Sequence, residues 1–337
     1  MLNFDPDRFL HIQQGACRRA QEVGALVRDL VADGADSLFF LGSGGAGLLM
    51  QPAADLLGRR SGLAVFAPPC PEIVLTGHRA MGERSVAILP SLSGTTRETV
   101  AALDWARSCG ATTIALVGDA DTPLGSGAHH CFANAAADDT SCEMFHVLAL
   151  AAALGAMEAH GEMPEAGRLL AELEGLPDRL LAAKRAFEPR AAELAGRLAE
   201  RDWHIVTAAG TVWPQAHYYG MCILEEMQWI RTRPVHAADF FHGTLELVEP
   251  GVSVLVMAGE DEARPLTDRV IAFARQYTDR LLVLDSADLA AEGLPTELRA
   301  LLAPALLATA LERVSAHLEV LRDHPLVTRR YYRRVAY

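Results

Sequence analysis

The stretch SVAILPSLSGTTRETVAALDWARSCGATTIALVG (residues 85–118) decides how the chain folds. SVAILP (85–90) and TTIALVG (112–118) are short apolar runs of strand length. Between them RETVAALDWARSCG (97–110) has helical spacing and stops on a glycine. A strand, a helix and a second strand in that order read as one crossover unit of a parallel sheet covered on both faces.

The same alternation runs outward in both directions. Residues 7–33 read as a helix ended by Asp33-Gly34. SLFFLG (37–42) is a buried strand, GSGGAG (42–47) follows it, and LLMQPAADLLGRR (48–60) is helical. GLAVFAP (62–68) is strand-like, HHCFANA (129–135) is a short edge strand, and MFHVLALAAALGAMEAH (144–160) is a strongly apolar helix. Residues 161–200 are helical, charged and alanine-rich, as an interdomain connection would be. The pattern then restarts: strand 203–210, helix 215–230, strand 252–259, helix 267–277, strand 280–286 and a long helix over 297–321. The expectation is an α/β chain of two doubly wound parallel-sheet domains in pseudo-duplication, with ligands at the carboxyl ends of the strands. Its parts are an N-terminal helix (1–24), a first domain (25–165), a helical connection (166–195) and a second domain (196–337).

A length of 337 residues suits two domains, and 22% charged residues is globular usage. The net charge of −13 argues against a nucleic-acid or anionic-membrane surface, since both need clustered cations. It leaves room for a phosphorylated metabolite. Lys184 is the only lysine, so a Schiff-base mechanism has one carrier. Cys17, Cys70, Cys109, Cys131, Cys142 and Cys222 form no C-x-x-C pair, which suggests reduced thiols in a cytoplasmic protein. MLNFDPDRFL does not read as a secretory signal, and no uninterrupted apolar run reaches membrane-spanning length.

Three constellations could carry chemistry. The first, Ser91 to Thr99, places five hydroxyls between the end of a strand and the start of a helix. Hydroxyls, backbone N–H groups and the helix dipole converge there as a phosphate cradle without lysine. The competing reading is a capped helix with Ser93 or Thr95 as the cap, but a cap needs one or two hydroxyls. The second, Gly42 to Gly47, fits G-x-G-x-x-G, yet the following strand ends in prolines with no acidic residue, so nicotinamide binding is disfavoured and a tight turn preferred. The third is CILEEMQWIRTRPVHAADFFHG (222–243). Glu225 and Glu226 point about 100° apart on a helix, so one can face a pocket and the other solvent. A carboxylate in an apolar frame there could move protons near neutrality. On the residues alone, the plainer reading is a solvated glutamate pair and a structural histidine at His242. Metal binding finds little support, because His129 and His130 point to opposite strand faces and no carboxylate comb accompanies them.

LGSGG followed by PSLSGTTRET resembles the sugar isomerase (SIS) domain family of phosphosugar-binding proteins, which implies flavodoxin-like domains. ILEEMQWIRTRPVHAADFFHGTLELVEPG resembles the matching stretch of double-SIS enzymes. MQWI, FFHG and the closing TRRYYRRVAY most resemble the fructosamine-6-phosphate deglycases, including fructoselysine-6-phosphate deglycase. The resemblance spans about residues 25–337. It implies that Ser91, Ser93, Thr96 and the N–H of Leu92 hold a phosphate, and that Ser43, Gly44 and Gly45 line the sugar. It implies Glu226 as the catalytic carboxylate and His242 as the ring-opening histidine, which in relatives can come from the neighbouring subunit. It also implies a C-terminal tail folded over the active site. Arg333 stands where the isomerase domain of glucosamine-6-phosphate synthase has a lysine, and arginine forms no Schiff base. Ala46 replaces a common serine, and Asp138-Asp139-Thr140-Ser141 departs from the relatives' substrate loop; two carboxylates there could recognise an amine.

The chemistry so implied is release of an amine from a 6-phosphorylated fructosamine, an Amadori amino-acid conjugate, leaving an aldose 6-phosphate. One carboxylate relays a proton between C1 and C2, and water hydrolyses the resulting imine. No cofactor or metal is called for. The expected partners are the sugar-amine substrate and a second copy of the chain in at least a homodimer. The rival readings are an aldose–ketose isomerase or amino-sugar-6-phosphate deaminase on the same two residues, and a non-catalytic phosphosugar sensor that would dispense with them.

Overall fold

The computed structural model describes residues 1–335. Contacts divide the chain into two units, Asp5–Leu181 and Met1–Phe4 with Ala182–Tyr337.

The first unit opens with α1 (Pro6–Ala32), whose N-cap Asp5 accepts the N–H groups of Asp7 and Arg8. Five parallel strands follow: β1 (Ser37–Phe40), β2 (Ala64–Phe66), β3 (Ser85–Ser91), β4 (Thr112–Val117) and β5 (His130–Ala133). Their order is β2-β1-β3-β4-β5, the flavodoxin-like arrangement. All seven residues of β3 are buried, so the apolar run without alternation is explained by helices on both faces. The strands are linked through α2 (Gly44–Arg60), α3 (Cys70–Thr76), α4 (Arg97–Ser108) and α5 (Pro123–Gly127). After β5 comes α6 (Ser141–Ala159), which packs on α1 and α2 and is buried on nearly every side. That setting, not a membrane, accounts for its uniform apolarity. It and the helix Thr296–Leu321 of the second unit are the two described helices long and apolar enough to cross a bilayer, and both are 83% buried over that window. Helix α7 (Ala166–Glu172) leads into α8 (Leu176–Ala199), which carries the chain to the second unit.

The second unit repeats the plan with four parallel strands, β6 (Trp203–Ala208), β7 (Arg231–His236), β8 (Ser253–Ala258) and β9 (Leu281–Asp285), in the order β7-β6-β8-β9. The helix expected over 215–230 is two segments. A short α9 (Trp213–Tyr218) passes into a π-helix (Tyr219–Met227), a widened form frequent at functional sites. Helices α10 (Arg264–Tyr277) and α11 (Thr296–Leu321) complete the unit.

Strand β7 has no sequence signal. RTRPVH lacks apolar alternation, and Pro234 cannot donate to a ladder. It is tolerated because β7 lies at the sheet edge.

Lys184 is fully buried in this unit. Its ammonium meets Glu312 Oε2 at 2.8 Å and donates to the Thr309 carbonyl at 3.3 Å. The only candidate Schiff-base carrier is therefore a structural cation. Beside it Arg313, also fully buried, meets Glu188 and Glu312 and donates to the carbonyl of Leu2. The Phe4 ring lies 5.6 Å from the Lys184 ammonium and 5.1 Å from the Arg313 guanidinium. These contacts tie Met1–Phe4 to the second unit.

His204 on β6 is fully buried opposite Ser253 on β8, its Nδ1 2.7 Å from the serine hydroxyl. Burial, reinforced by the charge of Arg322, pushes its pKa down to about 4. The unfolded chain then binds a proton that the folded chain refuses, so stability present above about pH 6.5 is lost as pH falls towards 4. Between pH 7 and pH 5 this group should cost about 2 kcal/mol. His204→Gln should flatten that part of the urea-unfolding profile; an unchanged slope would assign the acid sensitivity elsewhere.

Candidate functional site

In the first unit, β3 ends at Ser91 and α4 starts at Arg97, and the chain between them turns through Gly94 at φ +62°. A Cβ at Gly94 would lie 2.1 Å from Thr122 Oγ1, so no other residue fits. Thr96 occupies the N-cap position of α4 but makes no capping bond; its hydroxyl lies 3.0 Å from that of Ser91. Ser43 occupies the same position before α2, and it too caps nothing. Its hydroxyl accepts from Thr99 at 3.3 Å. Ser93 Oγ accepts from the N–H and hydroxyl of Thr95 at 3.3 and 3.1 Å. Beneath them the Cys70 thiol bonds to Ser43 and Thr99, and burial pushes its pKa up to about 11, which keeps it protonated. Two helix N-termini thus keep cap-position hydroxyls that are not spent on capping, an arrangement suited to an anion. The first loop is a tight turn, since a Cβ on Gly42 would lie 2.5 Å from Gly47 Cα.

Gly94→Ala should therefore weaken binding of inorganic phosphate at least tenfold by calorimetry. Retained affinity in a variant that still folds would remove this loop from anion binding.

In the second unit a cavity of about 850 Å³ lies beside the amino-terminal ends of β6 and β7, lined by Asp202, Glu225, Glu226, Trp229 and Arg231 and, from the C-terminal segment, by Arg322, His324, Arg329, Arg330, Tyr331 and Tyr332. Both glutamates line it; the picture of one facing a pocket and one facing solvent does not hold. Glu225 Oε1 accepts the Thr232 hydroxyl at 2.6 Å and its N–H at 3.2 Å, which fixes the start of β7. Glu226 Oε1 accepts Arg329 Nε at 2.8 Å. Arg329 also donates to the carbonyls of Leu326 and Thr328 at 2.6 and 2.9 Å, so it is pinned to its own segment. Glu226 thus meets a guanidinium rather than an apolar frame. The cavity also departs from the expectation that ligands sit at the carboxyl ends of the strands. Reading by strand polarity could not find it, because its floor is the π-helix and the C-terminal segment.

His242 is exposed in the turn after β7. Glu226 precedes the amino end of that strand and His242 follows its carboxyl end, so within one chain they are separated by a strand of about 20 Å. Arg333 is exposed at φ +56°, 5.3 Å from the Tyr332 ring, and does not line the cavity. The arginine that meets Glu226 is Arg329, which sequence reasoning passed over among the arginines of TRRYYRRVAY. The last two residues of that tail lie outside the described residues. Asp139, one of the two carboxylates considered for an amine, accepts from Arg8 Nη1 and Nη2 at 2.8 and 3.0 Å. Among the described residues no group of three or more His, Cys, Asp or Glu is placed to hold a metal.

Residues 33–158 match the SIS domain family. The chain is 30% identical to the fructosamine deglycase of Bacillus subtilis over 97% of its own length and 100% of the relative's. It is 32% identical to the fructoselysine 6-phosphate deglycase of Escherichia coli K12 over 92% of its length and 89% of that protein's. A crystal structure from Bacillus subtilis, provisionally named a phosphosugar isomerase, superposes with a TM-score of 0.87 at 28% identity, covering 95% of this chain and 100% of that one.

Proposed function

The chain belongs to the SIS domain family and is an enzyme of sugar phosphates, and on that premise we propose that it cleaves a 6-phosphorylated fructosamine into an aldose 6-phosphate and a free amine. The single observation that carries the reading is the cavity-lining Glu226 fixed by Arg329, in a chain similar to named deglycases over 92–97% of its length.

The phosphate is gripped by the hydroxyls of Ser91, Ser93 and Thr96 and the N–H of Leu92, with Ser43, Gly44 and Gly45 along the sugar. His242 opens the ring by proton transfer to the ring oxygen. Glu226 takes a proton from C1 as the C2 oxygen gains one from water, giving an enaminol, and returns one to C2, giving an imine at C1. Water adds to the imine carbon, the C–N bond breaks, and the amine leaves. Arg329 holds the Glu226 carboxylate in one orientation for both transfers. Because Glu226 and His242 stand at opposite ends of β7, His242 reaches the substrate of another copy, and the working unit is at least a homodimer.

The test is a panel of 6-phosphorylated fructosamines, with glucosamine 6-phosphate and fructose 6-phosphate alongside, assayed for free amine and for aldose 6-phosphate. Equimolar amine and aldose phosphate from the fructosamines is expected. Ammonia from glucosamine 6-phosphate alone would make the chain a deaminase.

A further inference from the structure

We infer that Arg330, stacked on Trp229, is a specificity-determining residue that receives a carboxylate on the amine half of the substrate, so that the enzyme prefers conjugates of amino acids to conjugates of uncharged amines. The inference rests on the deglycase reading and deepens it.

The argument starts from the substrate's connectivity. Glu226 works at C1 and C2, and the amine nitrogen hangs on C1. The amine substituent must therefore occupy space next to the Glu226 carboxylate, in a cavity that Trp229 and Arg330 also line. In a chain of net charge −13, this lining holds four arginines, Arg231, Arg322, Arg329 and Arg330, against three carboxylates, Asp202, Glu225 and Glu226. A local excess of cations in an acidic protein favours an anionic ligand.

These arginines are not equally committed. Arg329 is spent on Glu226 and two carbonyls. Arg322 lies 3.8 Å from Asp202 and donates to the Gln228 carbonyl at 3.4 Å, yet its Nε is buried with no acceptor among the described residues. The guanidinium carbon of Arg330 lies 3.9 Å from the centre of the Trp229 ring. Stacking uses the face of the guanidinium and leaves its edge, with a fork of N–H donors, open to a carboxylate. Among the described residues no acceptor takes that edge.

Trp229 is held for this task in an unusual way. Its φ is +55°, a left-handed conformation that is unfavourable for a bulky residue and clusters at functional sites. The bonds from Trp229 N–H to the Glu225 carbonyl (3.2 Å) and from Ile230 N–H to that of Leu224 (2.8 Å) maintain it. The His324 ring packs edge-on at 4.5 Å. The indole is thus fixed at the cavity with its face given to Arg330.

The experiment compares the 6-phosphorylated fructosamine of glycine with that of glycinamide, which differs in the carboxylate alone. Turnover is measured in the intact enzyme, in Arg330→Ala and in Arg330→Lys. Binding of the same pair is measured by calorimetry in Glu226→Gln, with and without Arg330→Ala, so that affinity is read without turnover. The intact enzyme should favour the glycine conjugate at least tenfold in kcat/KM and in affinity. Arg330→Ala should remove that preference and leave the glycinamide conjugate within about twofold, while Arg330→Lys restores part of it. Equal handling of the two conjugates by the intact enzyme would overturn the inference. So would an Arg330→Ala loss of the same size on both, which marks a structural latch. Preferential binding of the glycine conjugate without release of amine would sink the deglycase reading and leave the carboxylate subsite standing.

Discussion

Glu226→Gln is expected to lower turnover of a 6-phosphorylated fructosamine by about a thousandfold while leaving phosphosugar affinity within about threefold. A positioned general acid–base contributes of order a hundred- to ten-thousandfold, and here one carboxylate serves two successive proton transfers. Glutamine keeps the shape and can still accept from Arg329 Nε, as Glu226 does at 2.8 Å, so the segment around Arg329 should stay in place. The amide cannot take the C1 proton. Glu225→Gln is the control. Glu225 lines the same cavity but spends one oxygen on Thr232, so its loss should act through the start of β7 and cost no more than about tenfold. Full activity in Glu226→Gln, or a larger effect at Glu225, would remove Glu226 from the chemistry.

The second large effect is on stability. Glu188 accepts from Arg313 with both oxygens at 2.7 and 3.1 Å, from the N–H of Leu2 at 2.8 Å, and lies 3.1 Å from His317 Nε2. Burial acts to raise its pKa, but the Arg313 and Leu2 hydrogen bonds, with the Arg313 charge and His317, outweigh it and hold the carboxyl down at about 2. Glu188→Ala removes the carboxylate that meets Arg313 through both oxygens and leaves that fully buried cation to Glu312, which also meets the buried Lys184. Removing one partner of a buried pair strands charge where water cannot reach it, at a cost of about 3–5 kcal/mol. A fall of that size in the urea-unfolding free energy is the expected result. The sign with pH follows from the depressed pKa: the contribution is complete above the ordinary carboxylate range near 4.5 and drains away as pH falls towards 2. A loss under 1 kcal/mol in Glu188→Ala would show that the network merely decorates the core.

What was legible in the sequence follows from which forces act locally. β3 could be read because burial on both faces demands apolar side chains without interruption. The flavodoxin-like order came with the same crossover rhythm. β7 was invisible because an edge strand carrying Pro234 and two arginines satisfies none of the patterns that burial imposes. The hydroxyl loop was legible since its excess of Ser and Thr exceeds what one cap can use. The environment of Glu226 was not. Phe240 and Phe241 in the same stretch suggest an apolar frame, yet the partner that matters, Arg329, is 103 residues away along the chain. No periodicity reports such a contact, and the π-helix that presents both glutamates to one cavity has no compositional signature.

The account stands on Glu226 taking a proton from C1 and, after that proton exchanges with solvent, returning one to C2, and the product formed in D2O tests it most directly. Proton NMR of the reaction of a 6-phosphorylated fructosamine should show an aldose 6-phosphate carrying deuterium at C2, formed by the intact enzyme and not by Glu226→Gln. A ketose 6-phosphate with both C1 protons retained would mean that the C–N bond is cut by direct displacement, and would contradict it.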